Sequence, residues 1–251
     1  MLVMGILNVT PDSFADGGRH HDFDAAVKRG LEMIAEGVDI IDVGGESTRP
    51  GADRVSQEEE IARTIPVITE LAKHGATISI DTMRASTARA AVKAGAAMIN
   101  DVSGGLADDA MLQTAAELKV PYIAMHWRGQ SKDMNSKAIY NDVIIDVISE
   151  LQERITAALD AGIEVGNLII DPGLGFAKDA EHNWEIIDSI DSFVDLGYPV
   201  LVGASRKRFL GGDSPDEREQ ATIDLTKRLA TTGVWAVRVH SVKPHKEVLE
   251  Q

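Results

Sequence analysis

The residues able to do chemistry in this 251-residue chain stand at the ends of short apolar runs. Asn8 closes "GILN" and is followed by Thr10, Asp12, Ser13, Phe14 and Asp16, more polar and aromatic groups than a turn needs. Further along come Asp42, the segment Glu46-Ser47-Thr48-Arg49-Pro50-Gly51, Asp81-Thr82, Asn100-Asp101, His126, Asp171-Pro172-Gly173, Ser205-Arg206-Lys207, Arg238 and His240. Any one Asp or Asn at such a place serves as readily as a loop or helix cap. The full set is harder to assign to capping, and its chemistry divides in two. Asp81, Asn100 and Asp171 are acceptors suited to the N–H edge of a flat heterocycle, because a carboxylate takes two parallel hydrogen bonds from an amidine-like group. Arg49, Lys207, Arg238 and His240 are cationic and suit an anion. Asn8, a neutral oxygen donor beside that anion, suits Mg2+, although capping a turn is the simpler role for an asparagine taken alone. His126 is read as a hydrogen-bonded wall residue. No HxxxH or HxH spacing and no carboxylate cluster marks a zinc site. "GASRK" lacks the G-x-S-x-G form of a nucleophile elbow.

To gather these groups, the chain must bring the ends of its apolar runs side by side. The runs are "LVMGIL", "VDIIDVG", "TISID", "AAMIND", "PYIAMH", "LIIDPG", "PVLVGAS" and "WAVRVH", each followed by a helical pattern. Most are continuous rather than alternating, as expected of parallel strands covered on both faces. In "FDAAVKRGLEMIAEG", Ala26, Gly30 and Ile34, with Val27 and Leu31, step by three and four as on one helix face. Gly37, Gly75, Gly95, Gly162, Gly197 and Gly233 fall where helices should stop. Eight strand–helix units without a linker predict an α/β fold, a single (β/α)8 TIM barrel over residues 1–251. The alternative is a doubly wound open sheet, which usually has fewer strands and a glycine-rich first turn; GxGxxG is absent here. In a barrel, the site forms at the carboxyl ends of the strands, and strands seven and eight commonly hold phosphate. The chain starts at its first strand, so no segment is expected to plug the barrel bottom, and the last helical stretch, "KPHKEVLEQ", is short.

Composition bounds the function. With 44% hydrophobic and 26% charged residues, the chain can build a sizeable core. A formal net charge of -15 argues against nucleic acid and acidic membrane surfaces as partners. No apolar run reaches the roughly 18 residues of a membrane span, and no secretory signal is visible. There are no cysteines, which excludes disulfides and thiolate metal sites and is compatible with a reducing cytoplasm.

"GILNVTPDSFADGG", "IIDVGGESTRPGA", "SIDT", "INDVSGG", "MHWRG", "DPGLGFAKDAEHN", "GASRKRFLG" and "VRVH" together closely resemble the dihydropteroate synthase family. The motifs occur in family order from Gly5 to His240. The resemblance implies a barrel that joins 6-hydroxymethyl-7,8-dihydropterin pyrophosphate to 4-aminobenzoate, yielding 7,8-dihydropteroate and pyrophosphate in folate biosynthesis. It also implies a cytoplasmic homodimer, Mg2+ as cofactor and inhibition by sulfonamides. Asp171 matches the carboxylate on the pterin 2-amino and N3 edge, and Asp81 and Asn100 match its other in-plane partners. Val102, Met125 and Phe176 fall where the family lines the ring pocket. Lys207 matches a lysine near the pterin oxygen and the incoming amine, and Arg238 with His240 the ring-stacking and pyrophosphate-binding pair. Asn8 matches the Mg2+ and pyrophosphate asparagine. Phe14 and Asp16 match a first mobile loop, and Ser47, Thr48, Arg49 and Pro50 a second one that encloses the aminobenzoate. Ala15 stands where the family often has Ser, and Ser241 where it often has Asp.

On this reading catalysis needs no covalent nucleophile. Lys207, Arg238, His240 and Asp81 carry it by positioning and electrostatic stabilisation of a departing pyrophosphate. Departure of pyrophosphate before attack and a concerted displacement both remain open. Two rival functions share the pterin slot: methyl transfer from a folate to a corrinoid protein, and a silent pterin-binding paralogue. Neither needs "STRPG", "SRK" and "RVH" together.

Overall fold

The computed structural model describes residues 1–10, 18–46, 54–130 and 134–250. Each apolar run forms a strand: β1 (Leu2–Asn8), β2 (Ile40–Gly44), β3 (Ile78–Asp81), β4 (Met98–Asp101), β5 (Tyr122–Met125), β6 (Leu168–Asp171), β7 (Leu201–Val202) and β8 (Ala236–Val239). The returning helices are α1 (Gly18–Ala35), α2 (Gln57–Lys73), α3 (Ala85–Ala94), α4 (Met111–Leu118), α5 (Val143–Asp160), α6 (Ala180–Asp188), α7 (Ile190–Val194), α8 (Glu219–Leu229) and α9 (Lys243–Leu249). All strand pairs are parallel, in the order β6-β5-β4-β3-β2-β1-β8-β7. A parallel bridge between Ile170 and Val200, with the Ile170 N–H donating to Pro199 O at 3.0 Å, joins β6 to β7. The sheet therefore closes into a (β/α)8 barrel and is not the open alternative. Closure is thinnest at the two-residue β7. The return from β6 uses two helices, α6 and α7, where the sequence pattern suggests one.

Local chemistry explains the boundaries. Asp142 caps α5 by accepting the N–H groups of Ile144 and Ile145, both at 3.0 Å. α5 then buries Val143, Val147, Leu151, Ile155 and Ala158 at steps of four, four, four and three. The six glycines expected at helix ends all carry positive φ.

Side-chain direction alternates along each strand, and this rule builds the interior. Val3, Ile41, Ile80, Ile99, Ala124, Ile170, Val202 and Val237 pack outward in the shell shared with the helices. Met4, Ile40, Met98, Ile123, Ile169, Leu201 and Ala236, from seven strands, meet inside the barrel, with Leu2 and Trp235 packed against them. The bottom is thus filled by the barrel's own side chains and forms an apolar floor. Among the described residues, no helix is long and apolar enough to cross a membrane.

Met4 is fully buried in this floor. Met4→Ala should lower unfolding stability by roughly 2–5 kcal/mol, the range for emptying a packed core site, while leaving the far-ultraviolet circular dichroism of the folded fraction unchanged. Urea titration and circular dichroism check the two halves.

Candidate active site

Two residues beyond the floor, six of its seven strands reach one shared space. These positions are Asp42, Asn100, Met125, Asp171, Gly203 and Arg238. Asp81 joins them from the end of β3, in register with Gly44 on one side and Asn100 on the other. The Arg238 guanidinium forks between two carboxylates: Nε donates to Asp42 Oδ2 at 2.6 Å and NH2 to Asp81 Oδ2 at 2.7 Å. Asn100 Nδ2 donates to the same Asp42 oxygen at 2.9 Å. Asp42 is 0% exposed, and its Oδ1 has no hydrogen-bond partner among the described residues. The expected separation into an acceptor slot and a cationic patch is therefore only partial. Arg238 is interleaved with the acceptors.

Asp171, 6% exposed, spends Oδ1 on the Gly173 N–H at 2.7 Å. Its Oδ2 has no hydrogen-bond partner among the described residues. That oxygen and Arg238 Cβ both stand 3.9 Å from the point a Cβ at Gly203 would occupy, so the missing side chain there leaves space between them. The turn after β6 depends on two glycines. Gly173 (φ +68°) lies so close to His126 O that a Cβ would sit 2.4 Å from it, and Gly175 (φ +74°) lets the Lys207 stem pass where a Cβ would come within 2.8 Å. Lys207 Nζ donates to Leu174 O and lies 4.7 Å from the centre of the Phe176 ring. Val102 and Met125 cluster with Met83, and Ala107, Trp127 and Phe176 pack against them. The three expected pocket-lining residues thus form one apolar wall, and Met83 and Trp127 extend it.

At the far side of the mouth, Ser205 Oγ lies 2.9 Å from His240 Nδ1 and accepts the His240 N–H at 3.2 Å. Ser241, the departure in "VRVHS", accepts from Arg206 NH2 at 2.8 Å, and Arg206 Nε pairs with Glu219 at 2.7 Å. Asn8 Oδ1 and Asp81 Oδ2 each stand 3.6 Å from where a Cβ at Gly44 would be. Asp81 Oδ2 is taken by Arg238 at 2.7 Å, which leaves Asn8 Oδ1 as the oxygen open to a cation there. Among the described residues, no group of three His, Asp or Glu side chains could hold a metal on its own. This single oxygen fits Mg2+, which takes few protein oxygens and keeps water or substrate phosphate for the rest.

Phe14, Asp16, Ser47, Thr48, Arg49 and Pro50 lie outside the described residues, as does Ala15. The described flanks of 47–53 are tied down. Glu46 pairs with Arg54 Nε at 2.9 Å and with Arg84 NH1 at 2.8 Å, while Arg84 NH2 donates to Val55 O at 2.6 Å.

A family model described as pterin binding enzyme matches residues 4–240. The chain belongs to the pterin binding enzyme family. It is 49% identical to the dihydropteroate synthase of Mycobacterium leprae (strain TN), over 99% of this chain and 91% of that protein. It is 47% identical to the dihydropteroate synthase of Bacillus subtilis (strain 168), over 96% of this chain and 84% of that one. The structure of Xanthomonas albilineans dihydropteroate synthase with 4-aminobenzoic acid matches with a TM-score of 0.93 at 43% identity, covering 99% of this chain and 90% of that chain.

In this family member, charges at the mouth nearly balance: Asp42, Asp81 and Asp171 face Arg238, Lys207 and the buried Lys178. Burial raises Asp81 and Asp171 above ordinary carboxylates, with Arg238 opposing the shift at both. Burial lowers Lys207 to about 8 and Lys178 to about 7, and Asp171 pulls both back. Sequence reasoning assigned no role to Asp42, although it is the lone charge in "IIDVG" and its inward parity was legible. It also missed Lys178, whose buried position depends on the turn around it.

His126, 1% exposed, lies between Lys178 Nζ (2.8 Å from Nδ1) and Glu150 Oε2 (2.9 Å from Nε2). The expected wall residue is thus a hydrogen-bonded link. Burial, then the Lys178 charge, lowers its pKa from 6.5 to about 4. The unfolded chain therefore takes up a proton near 6.5 that the native state refuses. Stability should be fully present above 6.5 and fall as pH drops toward 4, by at most ~3 kcal/mol from this group. Lys178 is protonated in both states across that window. Urea unfolding of wild type and His126→Gln at several pH values should show this part of the acid slope vanish in the variant.

Proposed function

We infer that the chain is a dihydropteroate synthase, joining 6-hydroxymethyl-7,8-dihydropterin pyrophosphate to 4-aminobenzoate to form 7,8-dihydropteroate and pyrophosphate. The observation that carries this is Asp171: a buried carboxylate with one oxygen unspent, facing open space beside Arg238 and next to the apolar wall of Val102, Met125 and Phe176. That oxygen opens on the mouth of the barrel, so a ligand donor can take the place of water on it. The 2-amino and N3 edge of a pterin supplies two.

In the reaction the methylene C–O bond to pyrophosphate breaks and a C–N bond to the aromatic amine forms, the amine losing its proton to solvent. Asp171 and Asn100 hold the ring edge, and the apolar wall flanks its face and excludes water. Lys207, half-buried, faces the ring oxygen and the incoming amine. Asp81 accepts a ring N–H, and in doing so gives up Arg238. The freed guanidinium then turns to the ring face and, with His240, to the departing anion. Asn8 is the side chain that would hold Mg2+, which when bound would supply charge neutralisation for pyrophosphate. Phe14, Asp16, Ser47, Thr48, Arg49 and Pro50 enclose the aminobenzoate; for these six the family resemblance is the support. The same resemblance supports a homodimer in the cytoplasm, and the net charge of -15 argues against nucleic acid or acidic membrane partners. Pyrophosphate leaves before the amine attacks, because the electron-rich dihydropterin can carry a cation at its methylene.

With both substrates present, one pyrophosphate released for each 4-aminobenzoate incorporated into 7,8-dihydropteroate tests the assignment against methyl transfer and against silent pterin binding. Release without incorporation of the aminobenzoate would overturn it. Asp171→Asn should keep the fold and weaken pterin binding by roughly 1.5–3 kcal/mol, since an amide turns its own NH2 toward a donor; calorimetry measures this. Sulfonamides share the aromatic amine and para polar group of 4-aminobenzoate. They should raise its apparent KM without lowering maximal turnover, and unchanged turnover at saturating drug and limiting aminobenzoate would contradict this.

A further inference from the structure

One buried cation at the mouth has no part in the chemistry just described. Lys178 follows the turn that begins at Asp171 and is 8% exposed. Its Nζ lies 2.8 Å from His126 Nδ1, and donates to Gly173 O at 3.1 Å and Phe176 O at 3.2 Å. An ammonium has three donors and no acceptor, so three partners satisfy it completely. Each of them favours the charged form. His126 can accept at Nδ1 because its Nε2 faces Glu150 at 2.9 Å, which fixes the proton on Nε2. Arg128 Nε in turn donates to Glu150 at 3.0 Å, and Tyr140 OH donates to Ala177 O at 2.9 Å. The turn is therefore gripped from beneath by Lys178 and from its far end by Tyr140.

The two carbonyls that Lys178 holds belong to residues with direct consequences for the site. The Gly173 N–H orients Asp171 Oδ1, and Phe176 packs against the apolar wall. The lysine charge also sits near Asp171, where it adds to Lys207 and Arg238 in favouring the carboxylate.

We propose that Lys178 is a positioning residue for the pterin site, its ammonium acting as a three-legged clamp that fixes the turn from Gly173 to Phe176 and with it the orientation of Asp171. This rests on the pterin reading above and adds to it a residue that touches no substrate. Lysine is required because no neutral side chain offers three donors together with a charge. Glutamine has the two amide donors and no charge; methionine has the length and neither.

The test uses 6-hydroxymethylpterin as probe and calorimetry as readout, on wild type, Lys178→Met and Lys178→Gln, with circular dichroism to establish folding. Wild-type binding tests the pterin reading separately: if wild type does not bind, that reading fails and this inference with it. If wild type binds, Lys178→Met should bind at least tenfold more weakly. Its loss of affinity on acidification should begin at higher pH than in wild type, because Asp171 protonates more easily without the charge. The groups facing Asp171 in that titration are Lys207, Arg238 and Lys178, and those facing Lys178 are His126, Glu150, Arg128, Lys207 and Asp171. Lys178→Gln should recover part of the affinity and none of the pH shift. The absence of cysteine allows a clean restoration. In Lys178→Cys, unfolded and treated with 2-bromoethylamine, the thiolate displaces bromide and forms a lysine analogue at this one site. After refolding it should regain both affinity and pH profile, with refolded wild type as control. It also serves if Lys178→Met does not fold. Unchanged affinity in folded Lys178→Met, or weakened affinity with an unmoved pH profile, would overturn the proposal.

Discussion

The ion pair between Arg238 and Asp42 sets the terms for the rest of the barrel mouth. A closed parallel barrel points every second side chain inward, and in the lower layer those side chains are apolar. The next layer holds a guanidinium and a fully buried carboxylate in contact at 2.6 Å. Neither is tolerable alone there, because an unpaired ion in a low-dielectric interior costs several kcal/mol. Together they form a fixed base, and the base orders what lies above it. Asn100 is oriented by donating to Asp42, and Asp81 by accepting from Arg238. Asp42 thus directs two residues that face the ligand space without needing to reach the ligand itself. The arrangement also explains why Arg238 is not a free cation waiting for an anion. Its second contact, to Asp81, is the one a ligand donor can replace, whereas the first stays buried.

The opposite wall solves a different problem. Asp171 needs one oxygen kept open to the mouth, and an open carboxylate oxygen draws any nearby donor onto itself. This is prevented by spending the neighbouring donors elsewhere. The Gly173 N–H is taken by Oδ1, Lys207 Nζ by Leu174 O, and Lys178 Nζ by two carbonyls and a histidine. Two positive-φ glycines make this possible, since a Cβ at either would strike His126 O or the Lys207 stem. The turn after β6 is a scaffold for an unsatisfied acceptor, and most of its polar groups serve to leave that acceptor alone.

How much of this was legible in the sequence follows from the range of the interactions. The eight strands and the helix-ending glycines depend on nearest-neighbour patterning and could be read directly, from "IIDVG" or from Gly95. The inward set of Asp81, Asn100, Asp171 and Arg238 also follows, because period two is enough once strand ends are known. Asp42 obeyed the same parity but gave no sign of its partner, which lies 196 positions away. The coupling of Arg238 to the acceptors escaped for the same reason: residue type shows charge, not which opposite charge is nearest. Lys178 was invisible for a stricter reason. A lysine after a glycine-rich turn normally faces water, and only the fold curls this one back onto two carbonyls of its own turn and onto His126 at the end of β5. The second helix after β6 was missed because α6 and α7 meet at Ser189 without a glycine or proline to mark the break.

The segment 47–53 shows how a rigid frame can serve residues outside it. Glu46 and Arg54 pair at 2.9 Å, so the chain leaves and returns at one place. Arg84 binds both sides of that place, through Glu46 and Val55 O, and also pairs with the buried Glu60. Glu60 accepts from Thr82 Oγ1 at 2.6 Å, and Thr82 is the residue after Asp81. The base of the segment and the acceptor at the end of β3 are therefore parts of one hydrogen-bonded network. Bringing the two ends of a segment together costs entropy that rises only slowly with its length. Pinning the ends to the strand that carries Asp81 removes that part of the cost before any ligand arrives. Two loop flanks, one strand end and one helix start are joined here by a single arginine, whose substitution would loosen all of them at once.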